Sequence, residues 1–271
     1  MNTLSYEIDG QKTDLTFPST ITECSGLQLT AVAAARMGQL TEEEVLQRLC
    51  GIPSDVVAEL SPFQRFKILE ATEAVIQFES NELLWKKWKF PTVEIDGQTF
   101  YGPEDSFGNI TWGEFIYADQ CMIQGYHQAA IAALFRPERP GWDGETDRRL
   151  PFTVPGTKYR FPKFGDMDGA LAAAIVWNYR AVRSAAVDAA YPALFPYFDP
   201  DAKPEKDDEE EETEPKDEPS DFSWINVHRS ILGENIQDED KFLNLSMHTV
   251  LYRLNAAVIE SKKRRSNNQF Q

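Results

Sequence analysis

The sequence predicts an α+β fold that is mainly α: a helical body with a small antiparallel sheet from two hairpins, followed by a tethered C-terminal helical module. Three observations carry that prediction. Asp-Gly pairs at 9–10 and 96–97 each sit between strand-like runs, and a two-residue type I′ turn needs positive φ at both positions, which Asp-Gly accepts. Elsewhere, capping residues repeatedly precede apolar runs with helical spacing. Finally, the tract 199–221 holds thirteen Asp/Glu against three Lys, which separates a body at 1–198 from a small module at 222–271.

In chain order, the first hairpin spans 4–17 around Asp9-Gly10. An Ala- and Leu-rich helix at 27–37 stops at Gly38, and Thr41 with Glu44 reads as a capping box opening a short helix that ends at Gly51. Ser61 followed by Pro62 places a cap and then proline at the first helical position, where its fixed φ is favourable. From there Phe63, Phe66, Leu69, Val75, Ile76 and Leu83 read as one face of a long central helix reaching Trp85 and Trp88. The lysines among those tryptophans either complement the negative end of that helix or interleave with the rings as a surface for single-stranded nucleic acid.

The second hairpin should present Thr92, Glu94 and Gln98 to water and bury Val93, Ile95 and Phe100. Tyr101-Gly102-Pro103 ends it, because proline has no donor for a ladder. Thr111 and Glu114 read as another capping box, opening a core helix over 111–135 that Arg136-Pro137 terminates. The two hairpins share the pentapeptide Glu-Ile-Asp-Gly-Gln at 7–11 and 94–98, each followed by Ile-Thr and an alanine-rich helical run. Either Asp-Gly turns recur by chance, or segments 4–38 and 91–136 are an internal duplication whose hairpins lie side by side in one sheet.

Residues 137–164 read as a long proline- and glycine-studded loop, with Arg136, Arg139, Arg148, Arg149, Lys158, Arg160 and Lys163 as its basic content. Such a basic stretch takes the acidic tract in cis, meets a partner's acidic surface, or is simply solvated. Asp166 and Asp168 open an Ala-rich helix at 169–191, and the aromatic run 191–198 reads as a strap laid on the body. The tract 199–221 has almost no apolar residues to offset chain entropy and is expected to be a disordered linker. In the C-terminal module a helix begins at Trp224-Ile225, and a second carries Met247, Val250, Leu251, Leu254, Ala257 and Val258 on one stripe before Lys262–Arg265. Fifty residues of this kind are marginal alone, so the module should dock on the body or on a partner.

Composition narrows the function classes. The formal charge is −17, a field that repels a phosphate backbone, so no direct nucleic-acid partner is expected. Cys24, Cys50 and Cys121 are an odd number without paired spacing, which fits a reducing compartment and a cytoplasmic location. No apolar run approaches the roughly 18 residues of a membrane span, and no leader is visible, so no membrane partner is expected. His127, His228 and His248 are not spaced as ligands on one helical turn, which argues against zinc. Nucleotide-binding, nucleophile-elbow and Cys-x-x-Cys motifs are missing. Glu114 and Asp119 are five apart and do not share a helix face, so they do not read as an acid–base pair. The expectation is a protein that is no enzyme and carries no cofactor or metal.

Several short motifs add a resemblance: 16–23 (TFPSTITE), 101–105 (Tyr-Gly-Pro-x-Asp), 110–115 (ITWGEF), 133–137 (ALFRP), and the Trp224 helix ending at Leu232-Gly233 with 250–254 after it. Together they resemble an uncharacterised tail-region protein family of phages and prophages of Bacteroidetes-type bacteria, and the C-terminal part is similar to phage tail assembly chaperones. The resemblance implies a bacteriophage tail assembly chaperone in the host bacterial cytoplasm that binds the tape-measure protein, either as a single chain or as a homo-oligomer. The alternative is a structural neck or tail component of the virion; a remoter one, suggested by charge alone, is an acidic DNA mimic. On the first reading Trp224, Ile225, Met247, Leu251 and Leu254 are the candidate partner-binding residues, as an apolar helix contact.

Overall fold

The computed structural model of the chain describes residues 1–8, 11–78, 87–195, 223–233 and 238–268. The acidic tract 199–221 lies outside the described residues, as do Leu83, Trp85 and the Asp9-Gly10 turn. The fold is α+β and mainly α, with two antiparallel hairpins.

Strands β1 (Asn2–Ile8) and β2 (Gln11–Phe17) form the first hairpin, and β3 (Thr92–Ile95) and β4 (Gln98–Tyr101) the second. In the second, Ile95 pairs with Gln98 across Asp96 (φ 52°) and Gly97 (φ 70°), the left-handed pair that a type I′ turn requires. Val93, Ile95 and Phe100 are buried and Thr92 and Glu94 face water, as the alternation predicts, but Gln98, expected on the wet face, stands opposite Ile95 on the inward face and is half-buried, and Thr99 is exposed in its place. The hairpins are not neighbours in one sheet: each is its own two-stranded ladder. That removes the side-by-side arrangement expected from the repeated pentapeptide.

Helices α1 (Gly26–Arg36), α2 (Glu42–Arg48), α3 (Ser54–Glu59) and α4 (Pro62–Ile76) follow, with Ser25, Thr41 and Ser61 each closing a capping box. Helix α4 is shorter than its pattern suggests. It ends at Ile76, and Phe63 and Phe66 are 70% and 59% exposed, because the face that packs inward carries Ile68, Thr72 and Val75. Trp88 lies beyond that helix, buried against Phe107 and Phe135, and its indole N–H donates to the Phe90 carbonyl at 2.6 Å.

The expected single helix over 111–135 is two, α5 (Trp112–Ile123) and α6 (His127–Leu134), broken where Gly125 adopts φ 77°. The expected loop 137–164 is a correction as well. An antiparallel bridge joins Glu138 to Arg149, and residues from Val154 form helix α7 (Val154–Gly165), capped by Thr153 and containing Pro162. Helix α8 (Gly169–Arg183) starts from the Asp168 carboxylate, which accepts from the Leu171 N–H at 2.8 Å, and the chain continues as a wider π turn to Asp188. Among the described residues the C-terminal unit has three helices where two were expected: α9 (Trp224–Leu232), α10 (Glu239–Leu243) and α11 (Met247–Asn268).

The main core gathers α1, α5, α6 and α8 with the second hairpin, and Trp224, Met247, Val250 and Leu251 of the C-terminal unit belong to it. A smaller cluster under the first hairpin joins Phe17, Leu46, Val57 and Ile68. Among the described residues no helix is long and apolar enough to cross a membrane.

Candidate functional site

Helix α5 is the element on which the candidate residues converge. Trp112, Gly113, Glu114, Phe115, Ile116, Ala118, Asp119, Cys121 and Met122 are all buried, so the helix is enclosed nearly all round. Its two acids face opposite neighbours, and each is held by its own set of donors.

Glu114 is the first. The Thr111 hydroxyl accepts from its backbone N–H at 3.3 Å, as a cap should, but its carboxylate does not turn back to Thr111. It turns inward instead, accepting from Arg136 Nη2 and from Arg149 Nη1, both at 2.7 Å. Asp147 accepts from the same two guanidinium groups, at 3.3 Å from Arg136 and 3.0 Å from Arg149 Nε. Two cations and two anions thus cancel in the interior, which is how buried charge becomes tolerable. Burial brings Arg136 down to about 10, with Glu114 opposing it. For Arg149 burial acts in the same sense, but Glu114 and Asp147 outweigh it and the net shift is upward. Both stay cationic at neutral pH.

Arg149 also donates to the Leu134 carbonyl and Arg160 to the Ala132 carbonyl, each at 3.0 Å. These are carbonyls at the C-terminal end of α6 that have no partner within the helix. The basic residues expected on a loop surface are therefore divided: Arg136, Arg149 and Arg160 are buried structural groups. Arg148 remains at the surface, lying 4.0 Å over the Tyr101 ring and bonded to Glu138 at 2.6 Å.

Asp119 is the second centre. It accepts from the Tyr179 hydroxyl at 2.9 Å, Arg183 Nε at 2.7 Å and the Trp224 indole N–H at 2.6 Å. Arg183 completes the network with a two-pronged pair to Asp188, at 2.7 and 2.8 Å. Burial, reinforced by the Asp119 charge, pushes the Tyr179 hydroxyl well above its ordinary range, so it donates and does not ionise. This network fastens the C-terminal unit. The Trp224 ring also packs edge-on against Trp112 (5.5 Å) and Phe115 (5.2 Å) and lies 5.8 Å from Phe195.

Further ties run along the seam. The Trp112 indole donates to His228 Nδ1 at 3.2 Å, and His248 lies 2.8 Å from both the Tyr191 hydroxyl and the Ser106 carbonyl. The Trp112 N–H donates to the Leu245 carbonyl and the Met247 N–H to the Ile110 carbonyl. Gly113 explains how close the approach is: a Cβ there would lie 3.1 Å from the Leu243 side chain.

The predicted partner-binding residues divide accordingly. Trp224 is 2% exposed, and Met247 and Leu251 are fully buried, all three in the body's core; Leu254 is half-buried beside it. Ile225 belongs to α9, but its side chain lies outside what the structure describes. The stripe that reads as a free apolar contact is thus occupied by the chain itself. What stays open is the opposite side of α11, where Tyr252 is 69% and Ile259 41% exposed, with exposed Ala256 between them. Sequence reasoning missed Glu114, Asp119 and their arginines as an assembly; the available signal was two acids inside an otherwise apolar helix.

Chemically, the arrangement holds and orients. Glu114, Asp119 and Asp147 each accept from several donors. The Cys24 and Cys50 thiols are pushed up to about 12 by burial, which keeps them protonated and unreactive. Among the described residues no three His, Cys, Asp or Glu side chains converge as a metal-ligand set. Comparison of the chain with protein-family models, with curated proteins and with solved structures finds no match.

Proposed function

We propose that this chain is a phage morphogenesis protein, a tail assembly chaperone that holds the tape-measure protein against the outward face of α11. The observation carrying the proposal is the spacing of Tyr252, Ala256 and Ile259, which stand at i, i+4 and i+7 and are exposed, while Met247, Val250 and Leu251 on the other side are buried in the body. Helix-in-groove recognition uses that spacing. A helix fixed along one side loses little further conformational freedom when its other side is covered, which favours binding. The contact is therefore assigned to the outward face, in place of the buried Trp224, Met247 and Leu251.

The test is co-expression with the tape-measure protein followed by affinity capture. Burying an aromatic or branched apolar side chain contributes about 1.5–3 kcal/mol, so Tyr252→Asp together with Ile259→Asp should lower client retention by at least tenfold. The circular dichroism spectrum should be unchanged, since both side chains point to water. Retention equal to that of the unaltered chain overturns the proposal. Presence of the chain in purified finished particles at a fixed stoichiometry favours the structural virion role over the chaperone role.

A further inference from the structure

We infer that the acidic tract 199–221 docks in cis on the basic end of α11, at Lys262, Lys263, Arg264 and Arg265. The inference does not depend on which client the protein holds.

Charge is the first argument. The tract carries thirteen Asp/Glu and three Lys, a net −10, whereas α11 carries five Arg/Lys and one Glu, a net +4 in a chain whose total is −17. All four terminal cations are exposed. Arg264 is paired, to Glu260 one turn earlier on the same helix at 2.6 Å. Lys262, Lys263 and Arg265 have no ion pair among the described residues. The basic side chains at 136–163 offer less: Arg136, Arg149 and Arg160 are buried, Arg148 is paired with Glu138, Lys163 donates to Gln98 and Arg139 is half-buried, which leaves Lys158 as a single exposed cation against four in a row on α11.

Connectivity is the second. Phe195, on the N-terminal side of the tract, and Trp224, on its C-terminal side, have their rings 5.8 Å apart, so the chain leaves the body and returns to it at one place. That place is the flank of α11. The Ala193 N–H donates to Asn255 Oδ1 at 3.0 Å, and the Tyr191 hydroxyl lies 2.8 Å from His248.

Reach is the third. From Asn255 to the four cations is seven to ten residues along a helix, about 10–15 Å at 1.5 Å per residue. The run of acids at 207–212 begins twelve residues after Phe195. Twelve residues span at most about 40 Å extended, and a coil of that length averages roughly 20 Å end to end. Tethering at this range gives an effective concentration on the order of millimolar, so even weak pairing fills the site, and salt weakens it. The consequence is functional: an acidic protein can display four consecutive cations while keeping polyanions away from them.

The experiment uses the full chain. Carbodiimide joins contacting carboxylates and lysines without a spacer, and an equal mixture of nitrogen-15-labelled and unlabelled protein distinguishes links within one chain from links between copies. The expected result is Lys262 or Lys263 joined to Asp or Glu of 199–221 within single chains, reduced several-fold in 0.5 M NaCl, on the order of a 4 Å Debye length. Absence of those links, or links only between labelled and unlabelled copies, overturns the inference. A second measurement is heparin retention after replacing Glu209, Glu210, Glu211 and Glu212 with Gln. Retention should rise, and the rise should vanish when Lys262, Lys263, Arg264 and Arg265 are also changed to Ala. A rise that persists in that background reflects overall charge and overturns the inference.

Discussion

Replacing Trp224 with Phe keeps an aromatic ring in the seam but removes the indole N–H that Asp119 accepts at 2.6 Å. Asp119 is buried and ionically paired to Arg183, with the Tyr179 hydroxyl as its third donor. The lost bond is therefore short, made to a charged group, and out of reach of replacement by water. Hydrogen bonds to charged groups contribute about 1.5–3 kcal/mol, and 2 kcal/mol corresponds to roughly a 30-fold change in an opening equilibrium. The smaller ring adds a packing loss, which a double-mutant cycle with Asp119→Asn separates from the hydrogen bond. Amide hydrogen exchange is the suitable assay because it reads local opening free energies. Protection in α9 and the buried start of α11 should fall by about 30-fold, while α1 stays as it was. A coupling energy below about 0.5 kcal/mol, or a loss of protection spread evenly over the whole chain, refutes the idea that Asp119 is the anchor of the C-terminal unit.

Other substitutions test the remaining structure. Glu114→Gln leaves the buried Arg136 and Arg149 sharing Asp147 alone, one anion short of balance, which should cost about 3–5 kcal/mol and lower the melting temperature by roughly 10 °C or more; an unchanged melting temperature contradicts that charge balance. Gly102→Ala would place a Cβ 2.5 Å from the Phe90 carbonyl oxygen and 2.7 Å from Trp88 Nε1, so urea unfolding should show a loss of at least about 1–3 kcal/mol, and a neutral result would mean that contact is looser than described. Cys24 and Cys50 have thiol values raised by burial from 9.0 to about 12. A raised folded value stabilises fully below 9 and is lost as pH climbs from 9 towards 12. Stability should therefore decline across that window, and less steeply in Cys50→Ala; a thiol reagent at pH 8 should label neither cysteine until the chain unfolds.

Much of the fold was legible because its signals are local. Asp96-Gly97 dictates a turn by backbone conformation alone, and Ser25, Thr41, Ser61 and Asp168 cap helices through hydrogen bonds three residues away. Helix α7 was illegible for the converse reason. Its segment contains Pro155, Gly156 and Pro162, which disfavour a helix by propensity; tertiary contacts override this, with Phe164 edge-on to Phe100 at 5.1 Å and Arg160 on the Ala132 carbonyl. The Glu114 and Asp119 networks were hidden by an assumption about faces. Two residues five apart on a helix point about 140° apart, which places one of them in water only if the helix has a wet side. Helix α5 has almost none. Glu114's cations come from Arg136 and Arg149, 22 and 35 residues further on, and no spacing within the helix announces them.

The stripe on α11 separates what amphipathicity says from what it leaves open. Periodic apolar residues at Met247, Val250, Leu251 and Leu254 state that this face is covered, without stating by what. Here the cover is the body, because Trp224, brought back beside Phe195, packs edge-on against both Trp112 and Phe115 and the backbone at Leu245 and Met247 pairs with Ile110 and Trp112. A partner that needed the buried stripe would first have to break the Asp119 and Trp112 hydrogen bonds; one that uses Tyr252 and Ile259 breaks nothing. The two routes predict different kinetics. Capture by the outward face should proceed at a rate independent of Trp224→Phe, whereas capture by the inner stripe should accelerate in proportion to the roughly 30-fold gain in opening.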